Sequence, residues 1–112
     1  MVESLGANIE RYMNLLSTRQ KLVAANIANA DTPGYQTKDI DFQAELENQV
    51  WNSSPNVVEV SGLKTKNDGN NVSVDREARL LAENALRFSV ASNLARGELA
   101  TMRSAITEDK SS

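Results

Sequence analysis

Apolar residues recur at alternating steps of four and three along both ends of the chain, and the middle keeps no such rhythm. From Ser4 to Ala30 the stripe runs through Ile9, Met13, Leu16, Val23 and Ile27, with Leu5 one turn earlier and Gln20 as a polar break. A second run, Ala78, Leu81, Ala85, Phe88, Ser92, Ala95, Leu99, Met102 and Ile106, holds the alternation without a slip. Side chains at that spacing share one side of an α-helix, and a seven-residue repeat marks a coiled-coil seam. The predicted fold is mainly α: long N- and C-terminal helices pairing as a coiled coil, with a short loop and β-hairpin insert between them. The chain reads as a single domain over 1–112, divided into an N-terminal helix (1–31), an insert (32–74), a C-terminal helix (75–108) and a tail (109–112).

Small residues at Ala85, Ser92 and Ala95 allow a neighbouring helix to come close, while Phe88 and Met102 supply the larger knobs. Asp75 is placed to cap the last helix and Glu77 to complement its dipole. The pairs Arg79–Glu83 and Glu83–Arg87 are set four apart on its outer surface. Gly97 weakens the helix by about 1 kcal/mol. Leu15, Leu22, Leu86, Val90 and Leu94 lie off the seam and leave a second apolar strip uncovered on an isolated two-helix coiled coil. Burying one stripe does not offset the entropy of ordering two long helices, so a lone hairpin is marginal and further neighbours are implied. A compact three- or four-element bundle that buries both strips internally is the competing arrangement.

The first helix stops at a well-specified turn. Pro33 fixes φ for the second position of a turn, Gly34 takes the positive φ of a type II turn, and the proline ring pushes Thr32 out of the helical region. The helix therefore ends at about Asp31. Asn26 and Asn29 lie on one face of its last turns, where amides tie up carbonyls or reach another helix. Downstream, Asp41 closes an ordered loop and a short helix is expected near Phe42 to Trp51. The β-branched Val57-Val58-Glu59-Val60, the turn signal Asn67-Asp68-Gly69-Asn70, and Val72 and Val74 then suggest a small hairpin. Tyr35 and Trp51 are the natural anchors of these loops.

Composition narrows the function. The 112 residues are 40% hydrophobic and 4% aromatic, too thin a supply for a large globular core. With neither cysteine nor histidine, the chain lacks disulfides, thiolate chemistry, the commonest zinc ligands and the commonest general base. A net charge of −3 argues against nucleic acid, and no apolar run suggests a cleaved leader or direct membrane insertion. Asp39 with Asp41 and Glu45 with Glu47 read as a solvated acidic stretch. A calcium loop centred on Gly69 fails because Lys64 and Lys66 occupy positions that need carboxylates or amides. No serine sits in a nucleophile elbow. The expectation is a protein that is not an enzyme and carries no cofactor, metal or catalytic site.

The string Asn26-Ile27-Ala28-Asn29-Ala30-Asp31-Thr32-Pro33-Gly34-Tyr35 resembles the signature of the flagellar basal-body rod and hook proteins, and Asp31 to Tyr35 looks like its FlgB-type, proximal-rod branch. The likeness continues through Lys38-Asp39-Ile40-Asp41-Phe42, Asp68-Gly69-Asn70-Asn71-Val72, Asp75-Arg76-Glu77 and Ala82 to Phe88. Ala44 to Lys66 carries no such motif and looks shorter than is usual in the family.

The resemblance implies a structural subunit of the proximal rod in the periplasm, exported without a cleaved signal peptide through the flagellar type III export apparatus. It also implies terminal helices that stay largely unfolded until assembly, hence low helicity and no cooperative melt for a free monomer. The implied partners are other copies, an FlgC-like subunit, a FliE-like junction protein and the MS ring. Asn26, Asn29, Thr32, Pro33, Gly34 and Tyr35 would form the packing motif. Ile9, Met13, Leu16, Val23, Ile27, Leu81, Ala85, Phe88, Ala95, Leu99, Met102 and Ile106 would form the coiled-coil seam. Phe42 and Leu46 have the spacing proposed for export-gate recognition, which a first helical turn packed on the hairpin would equally explain. An FlgC-type rod member and a soluble helical adaptor or chaperone are the alternatives.

Overall fold

The computed structural model describes residues 5–48 and 54–111. Helix α1 spans Leu5–Ala28, strand β1 Lys38–Ile40, helix α2 Phe42–Glu47, strand β2 Val57–Glu59 and helix α3 Val74–Ser111. Helices α1 and α3 pack along each other, while β1 and α2 lie against α1, so α1 is the element every layer touches. The molecule measures 71 × 27 × 17 Å, of which α3 spans about 57 Å at the helical rise of 1.5 Å per residue.

The core is small and centred on α1. Ile9, Leu15, Leu16 and Val23 are buried there, joined by Ile40, Val72 and Ala91. Leu15, expected on an uncovered strip, is covered because the insert packs on that side of α1. On α3 the same strip stays open, with Leu86, Val90 and Leu94 between 52% and 67% exposed.

The face that α3 turns to α1 differs from the predicted seam by one position. Glu77, Asn84 and Ala91 are the buried residues, and Glu98, half-buried, continues the seven-residue step opposite Gly6. Leu81, Phe88, Leu99, Met102 and Ile106 are instead 40% to 54% exposed. A stripe drawn through apolar positions excludes Glu77 and Asn84, yet both find partners across the interface. Asn84 Nδ2 donates to Gln20 Oε1 at 3.4 Å, the polar break in the α1 stripe. Pairs of this kind set register, as a polar residue inside a coiled-coil seam does. A Cβ at Gly6 would stand 2.9 Å from Glu98 Oε2, so glycine admits the close approach there.

Three local expectations also change. β2 pairs antiparallel with β1, in the register Lys38↔Glu59, Asp39↔Val58 and Ile40↔Val57, and not with Val72–Val74. Val72 is buried in the core and Val74 already belongs to α3. Ser73, not Asp75, caps α3: its Oγ accepts from Arg76 N–H at 3.2 Å and its carbonyl from Glu77 N–H at 3.0 Å. Asp75 is exposed and pairs loosely with Arg79 at 3.9 Å, leaving Glu83 to Arg87 at 2.6 Å. Helix α2 begins at an Asp41 cap and ends at Glu47, where Asn48 turns extended; Trp51 lies outside the described residues.

Candidate functional site

The C-terminal end of α1 is where the chain's parts meet. The regular helix ends at Ala28 and passes through a tightened turn, with Ala30 N–H bonded to Ile27 O and Thr32 N–H to Asn29 O. The turn Thr32-Pro33-Gly34-Tyr35 follows, closed by Tyr35 N–H to Thr32 O at 3.1 Å with Gly34 at φ +76. That is the type II geometry expected from Pro-Gly. No basic residue stands in the last turn of α1. The carbonyls that follow it are capped from the insert: Asn70 Nδ2 donates to Asn29 O and Thr32 O, both at 2.8 Å, and Lys66 Nζ to Ala30 O at 3.0 Å. Gly34 and Gly69 face each other, Gly34 N–H donating to Asp68 O at 2.9 Å, and both hold positive φ.

Asn26 is the centre of this end. Its carboxamide donates to Lys38 O at 2.8 Å and to Glu77 Oε1 at 2.6 Å, and accepts from Tyr35 O–H at 3.2 Å and Lys38 N–H at 3.1 Å. One fully buried side chain thereby joins α1, the turn, β1 and α3. Asn29 works locally, donating to Ala25 O at 2.8 Å and accepting from Thr32 O–H at 3.0 Å. Asn71 holds Thr37 through its backbone N–H and its hydroxyl.

Beside Asn26 runs a chain of ion pairs. Arg76 bridges Glu77 Oε2 at 2.6 Å and Asp39 Oδ2 at 2.7 Å, and Arg19 makes a two-pronged contact to Asp39 at 3.1 and 2.9 Å. The four charges cancel within a largely buried cluster. Burial works against the charged form of Asp39, but Arg19, the Ile40 N–H and Arg76 outweigh it and hold the carboxyl below its ordinary 3.8. Burial likewise opposes the charge on Arg76, and Glu77 and Asp39 more than restore it. Asp39 is therefore a buried anchor, not part of a solvated acidic stretch; Asp41 serves separately as the α2 cap.

Asn26, Asn29, Thr32, Gly34 and Tyr35 of the expected motif take part in the hydrogen bonds of this corner, and Pro33 is exposed within its turn. Of the expected seam, Ile9, Leu16 and Val23 are buried, Met13 and Ala95 half-buried, and Ile27 and Ala85 exposed with the larger residues of α3. Leu81, Ala85 and Phe88 instead border an open groove of about 490 Å³ whose other wall is Leu16, Ser17, Gln20 and Lys21 of α1. Phe42 packs edge-on against Tyr12, ring centroids 5.6 Å apart, with the Arg19 and Arg87 guanidinium groups each 5.8 Å from its centre. Leu46, one turn on, is exposed.

Glu77, Arg76, Asp39, Arg19 and Asn70 carry this site, yet residue chemistry gave Glu77 only a dipole role, read Asp39 as solvated, gave Asn70 only a place in a turn signal and passed over Arg76 and Arg19. Glu77, Arg76, Asp39 and Asn70 lie within the matching strings, and Arg19 lies outside them. Among the described residues no carboxylate cluster stands ready to hold a metal ion, and no helix is long and apolar enough to cross a membrane. The site's chemistry is adhesion between elements.

Comparison with known proteins points the same way. A family model described as "Flagella basal body rod protein" matches residues 13–36, the stretch that holds Asn26 and the turn. The flagellar basal body rod protein FlgB of Escherichia coli is 32% identical over 91% of this chain and 94% of its own length. FlgB of Borrelia hermsii is 33% identical over 75% of this chain and 82% of its own, and FlgB of Salmonella typhimurium 33% over 72% and 77%. The alignment with the Escherichia coli protein runs to 130 positions, so that relative carries residues this shorter chain lacks.

Proposed function

The chain belongs to the flagellar basal body rod proteins of FlgB type, and from that membership we propose that its helices are laid into the proximal rod by packing their uncovered apolar faces against neighbouring subunits. It is a structural subunit of the flagellar basal body, and its relatives' names favour this reading over an FlgC-type member or a soluble adaptor.

The observation that carries the packing proposal is the division of labour on α3. Its α1-facing side carries the hydrogen-bonded polar residues Glu77 and Asn84 beside Ala91, whereas most of its large apolar residues stay 40% or more exposed. Leu81, Phe88, Leu99, Met102 and Ile106 form one open strip, and Leu86, Val90 and Leu94 another. Apolar surface of that extent marks an interaction site in a soluble chain. Past Glu98, α3 runs on from Leu99 to Ser111, about 20 Å at the helical rise of 1.5 Å per residue. The original seam thus becomes an intermolecular surface.

The finer partners follow the family likeness: other copies, an FlgC-like subunit, a FliE-like junction protein and the MS ring, reached by export through the flagellar type III apparatus without a cleaved signal peptide. Phe42 and Leu46 are the candidates for contact with the export gate. The Asn26-to-Tyr35 corner serves as the rigid base from which α3 projects.

Phe88→Asp tests this reading in cells that carry no other copy of the gene. The variant should be exported yet leave the rod unbuilt and the cells non-motile. Normal motility would overturn it.

A further inference from the structure

The turn that docks on Gly34 contains a reactive Asp–Gly linkage. Asp68 is followed by Gly69, whose nitrogen meets no side-chain obstruction on approaching the Asp68 Cγ. Attack forms the Gly69 N–Asp68 Cγ bond, releases the carboxyl oxygen as water and closes a five-membered succinimide. Hydrolysis takes one water back and opens either carbonyl, giving aspartate again or isoaspartate, in which the main chain runs through Cβ and Cγ. Water is the only co-reactant.

In the folded turn both reacting groups are engaged in other hydrogen bonds. The Gly69 N–H donates to Lys66 O at 3.0 Å, and Asp68 Oδ1 accepts from Asn70 N–H at 3.0 Å. Lys66 N–H to Asn70 O at 2.8 Å closes the loop, and Gly34 N–H to Asp68 O at 2.9 Å pins it to the end of α1. Asp68 itself is exposed, so water reaches it freely and conformation is the remaining control.

We propose that Asp68–Gly69 is an isomerisation site gated by folding, silent in the docked turn and reactive whenever the insert is undocked. Isoaspartate at this position adds a methylene to the main chain and turns the Asp68 carbonyl that Gly34 N–H uses into a free carboxylate. The shift also draws Asn70 off the carbonyls of Asn29 and Thr32, which it caps in the native turn. The modified turn loses its docking on the end of α1, so time spent undocked is recorded as a weakened cap on that helix.

The test compares the chain in isolated basal bodies with the same chain in concentrated urea, both aged at neutral pH. Isoaspartate is quantified by methyltransferase labelling and located by fragmentation mass spectrometry. It should accumulate at residue 68 in urea and at least about tenfold more slowly in basal bodies, because reaction there requires local opening. Asn70→Ala, which frees the turn from α1, should speed the reaction in assembled rods. Asp68→Glu should abolish it in both samples. Equal rates in the two samples would overturn the gating, and no isoaspartate in urea would overturn the site.

Discussion

Asn26 Nδ2 donates to Glu77 Oε1 at 2.6 Å, joining the last turn of α1 to the first turn of α3 across 51 residues of chain. Both side chains are fully buried, so each is the other's means of satisfying a polar group away from water. The flagellar signature asparagine is in this way a structural rivet between the two helices.

Replacing Asn26 with alanine strands a Glu77 oxygen together with the Lys38 backbone N–H and carbonyl. Leaving buried polar and charged groups unpaired costs about 3 kcal/mol. Urea unfolding of the variant should show a loss of that size, and a near-unchanged midpoint would mean that the rivet carries no load.

Acid should loosen this corner through Asp39. Its folded pKa lies below the ordinary 3.8, so its stabilising contribution is complete above the unfolded value and fades as pH falls through the lowered folded one. Unfolding midpoints measured from neutral to strongly acidic pH should therefore drop at the acid end, and Asp39→Asn should be weaker at neutral pH with a flatter acid limb. Parallel curves for the two proteins would contradict this.

How much of this was legible beforehand depends on whether the controlling physics is local. Pro33 and Gly34 announce their turn because φ restrictions act within a residue or two. The mainly helical fold was legible in the repeat of apolar positions. Glu77 and Asp39 were not, since a charge on a helix or next to a turn reads as solvent-facing, and their partners Asn26, Arg76 and Arg19 come from distant segments. The same bias shifted the α3 seam by one position, because Asn84 faces Gln20 where an apolar rule places Ala85 or Leu81. Strand pairing failed for a similar reason: Val57–Glu59 finds Lys38–Ile40 across α2, while the alternation of Val72 and Val74 masked Ser73, a favoured helix-capping residue.

The two glycines of the corner should respond differently to alanine. At Gly34 a Cβ meets nothing within 4 Å, so the cost is the positive φ alone, about 1 kcal/mol. At Gly69 the φ is +85 and the new Cβ would also sit 3.4 Å from the Gly34 Cα. Gly69→Ala is expected to destabilise more than Gly34→Ala in the same denaturation series; the reverse order would show that the two loops do not meet as described.

The free chain should not be uniformly ordered. The family likeness implies terminal helices that order on assembly, and the buried corner narrows that expectation to the far part of α3, from Leu99 onward, where the large apolar residues Leu99, Met102 and Ile106 are all exposed. Hydrogen exchange on the monomer should be fast there and slow around Val23, Asn26, Glu77 and Asn84. Uniform exchange along α3 would contradict the division.

The central claim is that neighbouring subunits cover the open strips of α3. The chain has no cysteine, so Leu94→Cys places one thiol on a strip residue that is 54% exposed in the single subunit. Maleimide should label that thiol in the free protein and fail to label it in intact basal bodies. Equal labelling in the two states would leave the strip bare in the finished rod and contradict the account.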